Sequence, residues 1–372
     1  MSKLEQLINE LCPEGVEYRR LENCCEILDN KRKPVTKSAR EAGKYPYYGA
    51  NGIQDYVSNY IFDGTFVLVG EDGSVVTEIG TPIVTWATGK IWVNNHAHII
   101  SEINGVLLRY LFHYLQTVPV KHLIHGNIPK LTGGDFRALK IAVPPLPVQE
   151  EIVRILDKFT ELTAELTAEL TARKQQYEYY RDRLFANYKS APKKKLIEVA
   201  DISRGIRVVK KQLISNGNYP VYQNSLAPMG YYDKYNCNGN TTYVISAGAA
   251  GEIGYCETNF WAADDCLFFS NLREINNKYI YYFLLTKQDF IYSNVRKASI
   301  PRLSRTVIEN LQIPIISIDE QEQVVNLLNR FDKLCNDISE GLPAEIEARQ
   351  KQYEYYRDKL LTFKKKEIAE NE

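Results

Sequence analysis

The chain has no apolar run approaching the roughly 18 residues that a membrane-spanning helix needs. Its first residues, Met1-Ser-Lys-Leu-Glu-Gln-Leu7, lack the apolar core of a secretory signal. Seven cysteines are scattered without C-x-x-C spacing, and Cys24 and Cys25 are adjacent. That pattern suits a reducing compartment better than a disulfide framework. A cytoplasmic protein with no membrane segment is expected. Catalytic signatures are also missing. There is no G-x-x-x-x-G-K-[ST] phosphate loop, no G-x-G-x-x-G, no H-E-x-x-H, and neither Asn-Pro-Pro-Tyr nor Asp-Pro-Pro-Tyr of an amino-methyltransferase. His96 and His98 alternate on a strand-like stretch, with His113, His122 and His125 further on, but no acidic or cysteine partner stands at ligand spacing. Gly70-Glu-Asp-Gly73 reads as a turn rather than a carboxylate pair. No catalytic residue and no metal site is expected. Net charge is absent as well, with 46 basic and 46 acidic side chains, so any nucleic-acid surface has to be local.

What the chain does contain is a duplication. Gln-Tyr-Glu-Tyr-Tyr-Arg-Asp at 176–182 recurs unchanged at 352–358, an offset of 176 residues. So long a period means two copies rather than a solenoid. Apolar residues around each copy recur three or four apart: Ile152, Leu156, Phe159, Leu162, Leu166, Leu170, Tyr177, Tyr180 and Leu184 in the first, Val324, Leu328, Phe331, Cys335, Ile338, Ile346, Tyr353, Tyr356 and Leu360 in the second. The spacing predicts long amphipathic helices over 151–185 and 320–363. Similar lead-ins precede them, Leu139-Lys-Ile-Ala-Val-Pro-Pro145 then Gln149, and Leu311-Gln-Ile-Pro-Ile315 then Gln321. The first helix carries a tandem Thr-Ala-Glu-Leu unit through Leu170, rich in strong helix formers. The second contains Gly341-Leu-Pro343, where a stop and restart is expected. Leu166, Tyr177, Tyr180, Leu328, Tyr353 and Tyr356 are expected to pack the helices against each other along one buried seam.

Between the helices the pattern is strand-like and turn-rich, and it too occurs twice. Tyr45-Pro-Tyr-Tyr-Gly-Ala-Asn51 is echoed by Tyr219-Pro-Val-Tyr-Gln-Asn224, and Trp92-Val-Asn-Asn-His96 by Trp261-Ala-Ala-Asp-Asp265. Gly126-Asn-Ile-Pro-Lys-Leu131 is echoed by Ala298-Ser-Ile-Pro-Arg-Leu303. The expected fold is α+β: two similar mixed α/β globular domains (1–145 and 189–314) alternating with two helical regions (146–188 and 315–372), with a pseudo-two-fold. Net charge is 0 over residues 1–145 and +5 over 190–314, against −1 over 146–189 and −4 over 315–372, so the acid sits on the helices.

Basic residues cluster at matching places in the two halves. Lys31, Arg32, Lys33 and Lys37 stand in one, Arg204, Arg207, Lys210 and Lys211 in the other. Lys130 answers Arg302, and Arg137 and Arg305 follow each. Polar loop residues beside them, Asn51, Lys90, Asn127 and Asn224, complete the candidate DNA-binding set. Arg and Lys hold phosphates and read guanine, while Asn reads adenine.

With the near-identical 176–184 and 352–360 segments, the Gln-Glu lead-ins, the tandem Thr-Ala-Glu-Leu unit and two diverged globular domains together, the chain resembles the specificity subunits of type I restriction–modification systems over essentially its whole length. The resemblance implies that each globular domain reads one half of a split, asymmetric double-stranded DNA site. It implies antiparallel helices that set the spacing and dock two modification (methyltransferase) subunits, and further restriction endonuclease/translocase subunits in the complex. S-adenosylmethionine, ATP and Mg are then expected in those partners and no cofactor in this chain, a non-catalytic subunit. A protein-only helical adaptor and a self-contained DNA methyltransferase or nuclease are the alternatives.

Overall fold

Helix starts in this chain are fixed by the residues that precede them. Ser2 accepts from the Glu5 amide while the Glu5 carboxylate accepts from the Ser2 amide, so two otherwise unpaired amides are satisfied at the start of helix α1 (Lys3–Leu11). The computed structural model describes residues 2–73, 75–124, 126–337 and 340–366. His125, Ile338 of the second apolar stripe and residues 367–372 of the expected second helical region lie outside them.

After α1 the first half runs through β1 (Glu17–Arg20), β2 (Glu26–Ile27), β3 (Ala42–Gly49), β4 (Gly52–Val57), β5 (Phe62–Gly70), β6 (Val84–Val93) and β7 (Ala97–Ser101). Helices α2 (Leu108–Leu115) and α3 (Gly133–Ala138), strand β8 (Lys140–Val143) and the 42-residue α4 (Leu146–Asn187) follow. The second half contains β9 (Lys193–Lys195), α5 (Leu196–Val199), β10 (Asp201–Arg204), β11 (Tyr219–Tyr222), β12 (Gly230–Tyr232), β13 (Thr241–Ile245), β14 (Ile253–Cys256), β15 (Trp261–Ala262) and β16 (Cys266–Ser270). It closes with α6 (Asn277–Leu285), α7 (Gln288–Ser293), α8 (Arg305–Glu309), β17 (Gln312–Pro314), α9 (Ile318–Asn336) and α10 (Leu342–Leu360). The expected break falls between α9 and α10: Gly341 precedes the restart and Pro343 occupies its first turn, where a missing amide proton costs nothing.

Strand order repeats. The six-stranded sheet of the first half runs β2-β7-β5-β6-β3-β4. In the second half the same order is split into β10-β16-β13-β14 and β15-β11-β12, because β14 and β15 together take the place of the long β6. In both, one parallel pairing closes the hairpin: Tyr47 and Tyr48 pair with Trp92 and Val93, Val221 and Tyr222 with Trp261 and Ala262.

The chain divides into two compact units, residues 1–165 with 346–372, and residues 166–345. The divisions cut through α4 and α10 rather than falling at the ends of the helical regions 146–188 and 315–372. The helical repeat is thereby exchanged between halves. Tyr353, in the second copy, is buried in the unit 1 core with Val148, Ile152 and Leu156 of early α4 and with Tyr110 and Leu111 of α2. Tyr177, in the first copy, is buried in the unit 2 core with Val324 and Leu328 of α9 and with Tyr279 and Tyr282 of α6. The expected single seam resolves into one helix pair in each unit. Tyr356 stacks on Phe159 in unit 1 (ring centroids 5.2 Å) and Tyr180 on Phe331 in unit 2 (6.1 Å), each tyrosine remaining 40% exposed. Leu328 is fully buried, whereas Leu166 is half-buried and outside the described unit 2 core, which takes Leu170 instead.

The lead-in glutamines explain themselves here. Gln149 accepts from the Leu107 amide and donates to the Pro144 carbonyl; Gln321 accepts from the Asn276 amide and donates to the Ile316 carbonyl. Each is fully buried and ties a helix start to the short helix beside it. A buried amide with all its partners is specific in geometry and costly to replace.

Candidate nucleic-acid interface

Two hydrogen bonds fix the basic loops at equivalent positions in the units. The indole Nε1 of Trp92 donates to the Lys33 carbonyl at 2.7 Å, and that of Trp261 to the Ile206 carbonyl at 2.8 Å. At the other edge the Gly73 amide donates to the Pro129 carbonyl and the Gly248 amide to the Pro301 carbonyl. Both glycines have φ above +80°, a region only glycine enters without strain. These loops hold Lys130 and Arg302 on matching isolated bridges, Asp72 with Lys130 and Ala247 with Arg302.

Most sequence-derived candidates lie at the surface. Lys31, Lys33, Lys37, Asn51, Lys90, Asn127 and Lys130 of unit 1 are exposed, as are Arg204, Arg207, Lys210, Lys211, Asn224, Arg302 and Arg305 of unit 2. Lys90 places its ammonium 4.7 Å from the Tyr60 ring centre. Arg137 is half-buried and donates back to the Gly133 carbonyl of its own helix.

Arg32 departs from the expected role. Its side chain is only 12% exposed, and it donates to Glu71 at 2.5 Å, to the Ala97 carbonyl at 2.6 Å and to the Asp29 carbonyl at 2.9 Å. The guanidinium neutralises buried carboxylates, which bulk solvent cannot do at that depth. His98, fully buried, joins the same network: Nδ1 lies 2.7 Å from Asp29, Nε2 lies 3.0 Å from the Leu131 carbonyl, and the ring stacks on Phe136. Burial would push Asp29 up, yet hydrogen bonds from His98 and the Ile99 amide, with Arg32 nearby, hold it below the usual carboxylate range. Lys130 reaches Glu71 at 3.2 Å. Asp29, Glu71 and His98 are close enough together for a cation. The chemistry of the donors argues otherwise: both His98 nitrogens are engaged, and Arg32 and Lys130 already supply the positive charge. His96 pairs with Asp72.

Unit 2 is built differently at the same place. The hydrogen-bond register puts Gly205, Ser246 and Leu267 where unit 1 has Arg32, Glu71 and His98. Arg204, Arg302 and Arg305 converge there on one cleft of about 310 Å³, floored by Ser246, Leu267 and Leu303. Arg296 flanks it, exchanging backbone hydrogen bonds with Arg302. Sequence reasoning did not select Arg296; the Ile-Pro echo at 298–303 marks the loop, but only the strand-like bridge shows that Arg296 returns beside Arg302.

All seven cysteines are buried and unpaired, and burial pushes the Cys24 thiol up to about 11. Desolvation disfavours the Cys24 thiolate. No described helix is long and apolar enough to cross a membrane.

Comparison with known proteins accords with this geometry. The family described as type I restriction modification DNA specificity domain matches twice, at residues 13–173 and 189–348. The chain is 36% identical over 377 residues to a Haemophilus influenzae protein assigned as type I restriction enzyme specificity subunit S.HindORF215P, covering 94% of this chain and 96% of that one. It is 33% identical over 301 residues to the EcoR124I/EcoR124II specificity subunit of Escherichia coli, covering 72% and 74%. The crystal structure of the S subunit of a type I restriction–modification system from M. genitalium shares its fold, with a TM-score of 0.62 at 16% identity, covering 93% and 96%. The chain belongs to the family of type I restriction–modification specificity subunits.

Proposed function

We propose that the chain is the DNA-recognition subunit of a type I restriction–modification complex, each unit reading one half of a split, asymmetric duplex site. The observation that carries this reading is the double match to a DNA specificity domain in two units that share strand order and loop anchoring while their exposed loops differ. Alike frameworks present unlike side chains, which is what two readers of different half-sites require.

The exchanged repeat supports a scaffold role. Tyr179 and Tyr355, at equivalent positions in the two copies, are 58% and 62% exposed, each with a cation about 6.0 Å from its ring centre, Arg183 and Lys359 respectively. Two like surfaces suit two copies of one partner, and large exposed aromatics are the residues that anchor interfaces. Two modification subunits are the proposed partners, with S-adenosylmethionine chemistry in them and ATP- and Mg-dependent translocation and cleavage in further subunits. This chain positions and holds.

A gel shift tests the reading. With modification subunits present, a duplex library should yield bound fractions enriched in one bipartite sequence. Binding without sequence enrichment, or binding of the modification subunits with no effect of DNA, would contradict it.

A further inference from the structure

We infer that the arginine cleft of unit 2 seats one backbone phosphate of the DNA, and that the equivalent position of unit 1 seats none. The inference rests on the proposed function and adds that the two readers grip the duplex by different physics.

The contrast lies in what surrounds equivalent basic residues. In unit 1 Lys130 and Arg32 share Glu71, and Arg32 also lies 3.6 Å from Asp29. The charge of Arg32 is spent inside the protein, and that of Lys130 faces the mostly buried Glu71 carboxylate. In unit 2 the place of Glu71 is taken by Ser246, whose hydroxyl donates to the Asp265 carbonyl. Arg302 has no ion pair among the described residues. Arg204 and Arg305 do have acidic neighbours, Asp265 at 3.9 Å and Glu309 at 2.9 Å, but both arginine side chains remain more than half exposed. A surface pair of that kind is weak and easily exchanged for a better anion.

Guanidinium groups brought together repel one another, and an anion between them removes that cost. A phosphodiester suits the site because its paired oxygens match the planar fork of Arg. A cleft lined by one sign of charge over a low-dielectric floor also concentrates that anion before contact. The floor here is Leu267 and Leu303. Residues 190–314 carry +5 against 0 for residues 1–145, so the wider field points the same way.

The test uses the subunit assembled with its modification partners and a duplex carrying the recognised site, and reads affinity against salt. Arg302→Gln with Arg305→Gln should flatten the log–log salt slope by about one unit, the loss of one phosphate contact. Lys130→Ala should leave the slope unchanged. Arg302→Lys with Arg305→Lys, which keeps the charge, should restore most of it. A matched melting temperature shows that the exposed substitutions leave the fold intact. A wild-type slope in the double Gln variant overturns the inference, as does an equal loss in Lys130→Ala. Inorganic phosphate at constant ionic strength distinguishes a free-anion site: phosphate-dependent stabilisation lost in the variant with no change in the DNA slope also overturns it. Failure of the wild-type assembly to bind DNA would instead remove the proposed function itself.

Discussion

His113 Nδ1 and the Tyr353 hydroxyl lie 2.9 Å apart across 240 residues of chain. His113 sits on α2 of the first half; Tyr353 belongs to the second copy of the repeat. Asp157 of α4 completes the chain, 2.9 Å from His113 Nε2 and 2.7 Å from Arg109 Nε. Unit 2 has the same layout in other residues: Tyr282 stands for His113 and Asn329 for Asp157, bonded at 2.7 Å. There the Tyr177 hydroxyl is buried with no hydrogen-bond partner among the described residues. The two repeat copies are therefore identical in sequence but not in how firmly they are held.

Tyr353→Phe should destabilise unit 1 by about 1–3 kcal/mol, since it leaves a buried His113 nitrogen without its donor. Tyr177→Phe should cost unit 2 little or nothing. Thermal or denaturant unfolding of the two variants checks the difference.

Acid should loosen the same contact. Burial, with Arg109 and Arg357 nearby, lowers His113 below its usual value despite the opposing pull of Asp157. Asp157, though burial would raise it, is held low by hydrogen bonds from His113 and Arg109. A lowered folded value means the unfolded chain binds more protons, so stability is complete above the ordinary histidine value of about 6.5 and falls as pH drops below it. His113→Gln should flatten melting temperature against pH between about 7 and 5. A wild-type profile in that variant would place the titrating group elsewhere.

Within the 31–33 triplet the structure separates two roles. Arg32→Ala removes one partner from a mostly buried ion pair and should cost about 3–5 kcal/mol of stability. Lys31→Ala with Lys33→Ala should leave stability nearly unchanged and weaken DNA binding, with a flatter salt slope. Melting curves and salt titrations of the same variants decide it.

Tyr179→Ala and Tyr355→Ala should weaken binding of modification subunits, each by about 1–2 kcal/mol if these rings anchor the interface. Because the positions are equivalent, each single change should lower the occupancy of one partner copy, visible as a shift from two bound copies to one by native mass spectrometry or light scattering.

Much of this was legible in the sequence. Apolar residues three and four apart mark the long helices, and the Gly341-Leu-Pro343 break follows from backbone chemistry alone. The Trp92 and Trp261 echo locates equivalent strands because both indoles anchor the neighbouring loop. What covers each helix was not legible. Periodicity shows that Tyr177 and Tyr353 face a core, but not that each belongs to the core of the opposite half. Nor does a Lys-Arg-Lys triplet reveal which member turns inward; Arg32 does so because Glu71, 39 residues away, needs a cation. The arginine cleft was half visible: Arg204, Arg302 and Arg305 stood out as basic, but their convergence depends on the pairing of β10 with β16 and on the bridge at Arg302.

The tandem unit in α4 offers a ruler. Deleting Thr167 to Leu170 removes about 6 Å of helix and nearly preserves its apolar stripe. At roughly 3.4 Å per base pair, the non-specific spacer of the recognised site should shorten by one to two base pairs while both half-sites keep their bases. Methylation mapping of the variant reads both quantities.

The most direct measurement is methylation mapping in a host that carries this chain with its modification subunits, comparing wild type with variants in the exposed loops of one unit at a time. Wild type should modify one bipartite site. Changing Asn51 and Lys90 should alter or relax one half only, and changing Asn224 and Arg207 the other half only. A continuous recognition sequence, or a change in unit 1 that alters both halves at once, would contradict the account of two independent readers on one duplicated frame.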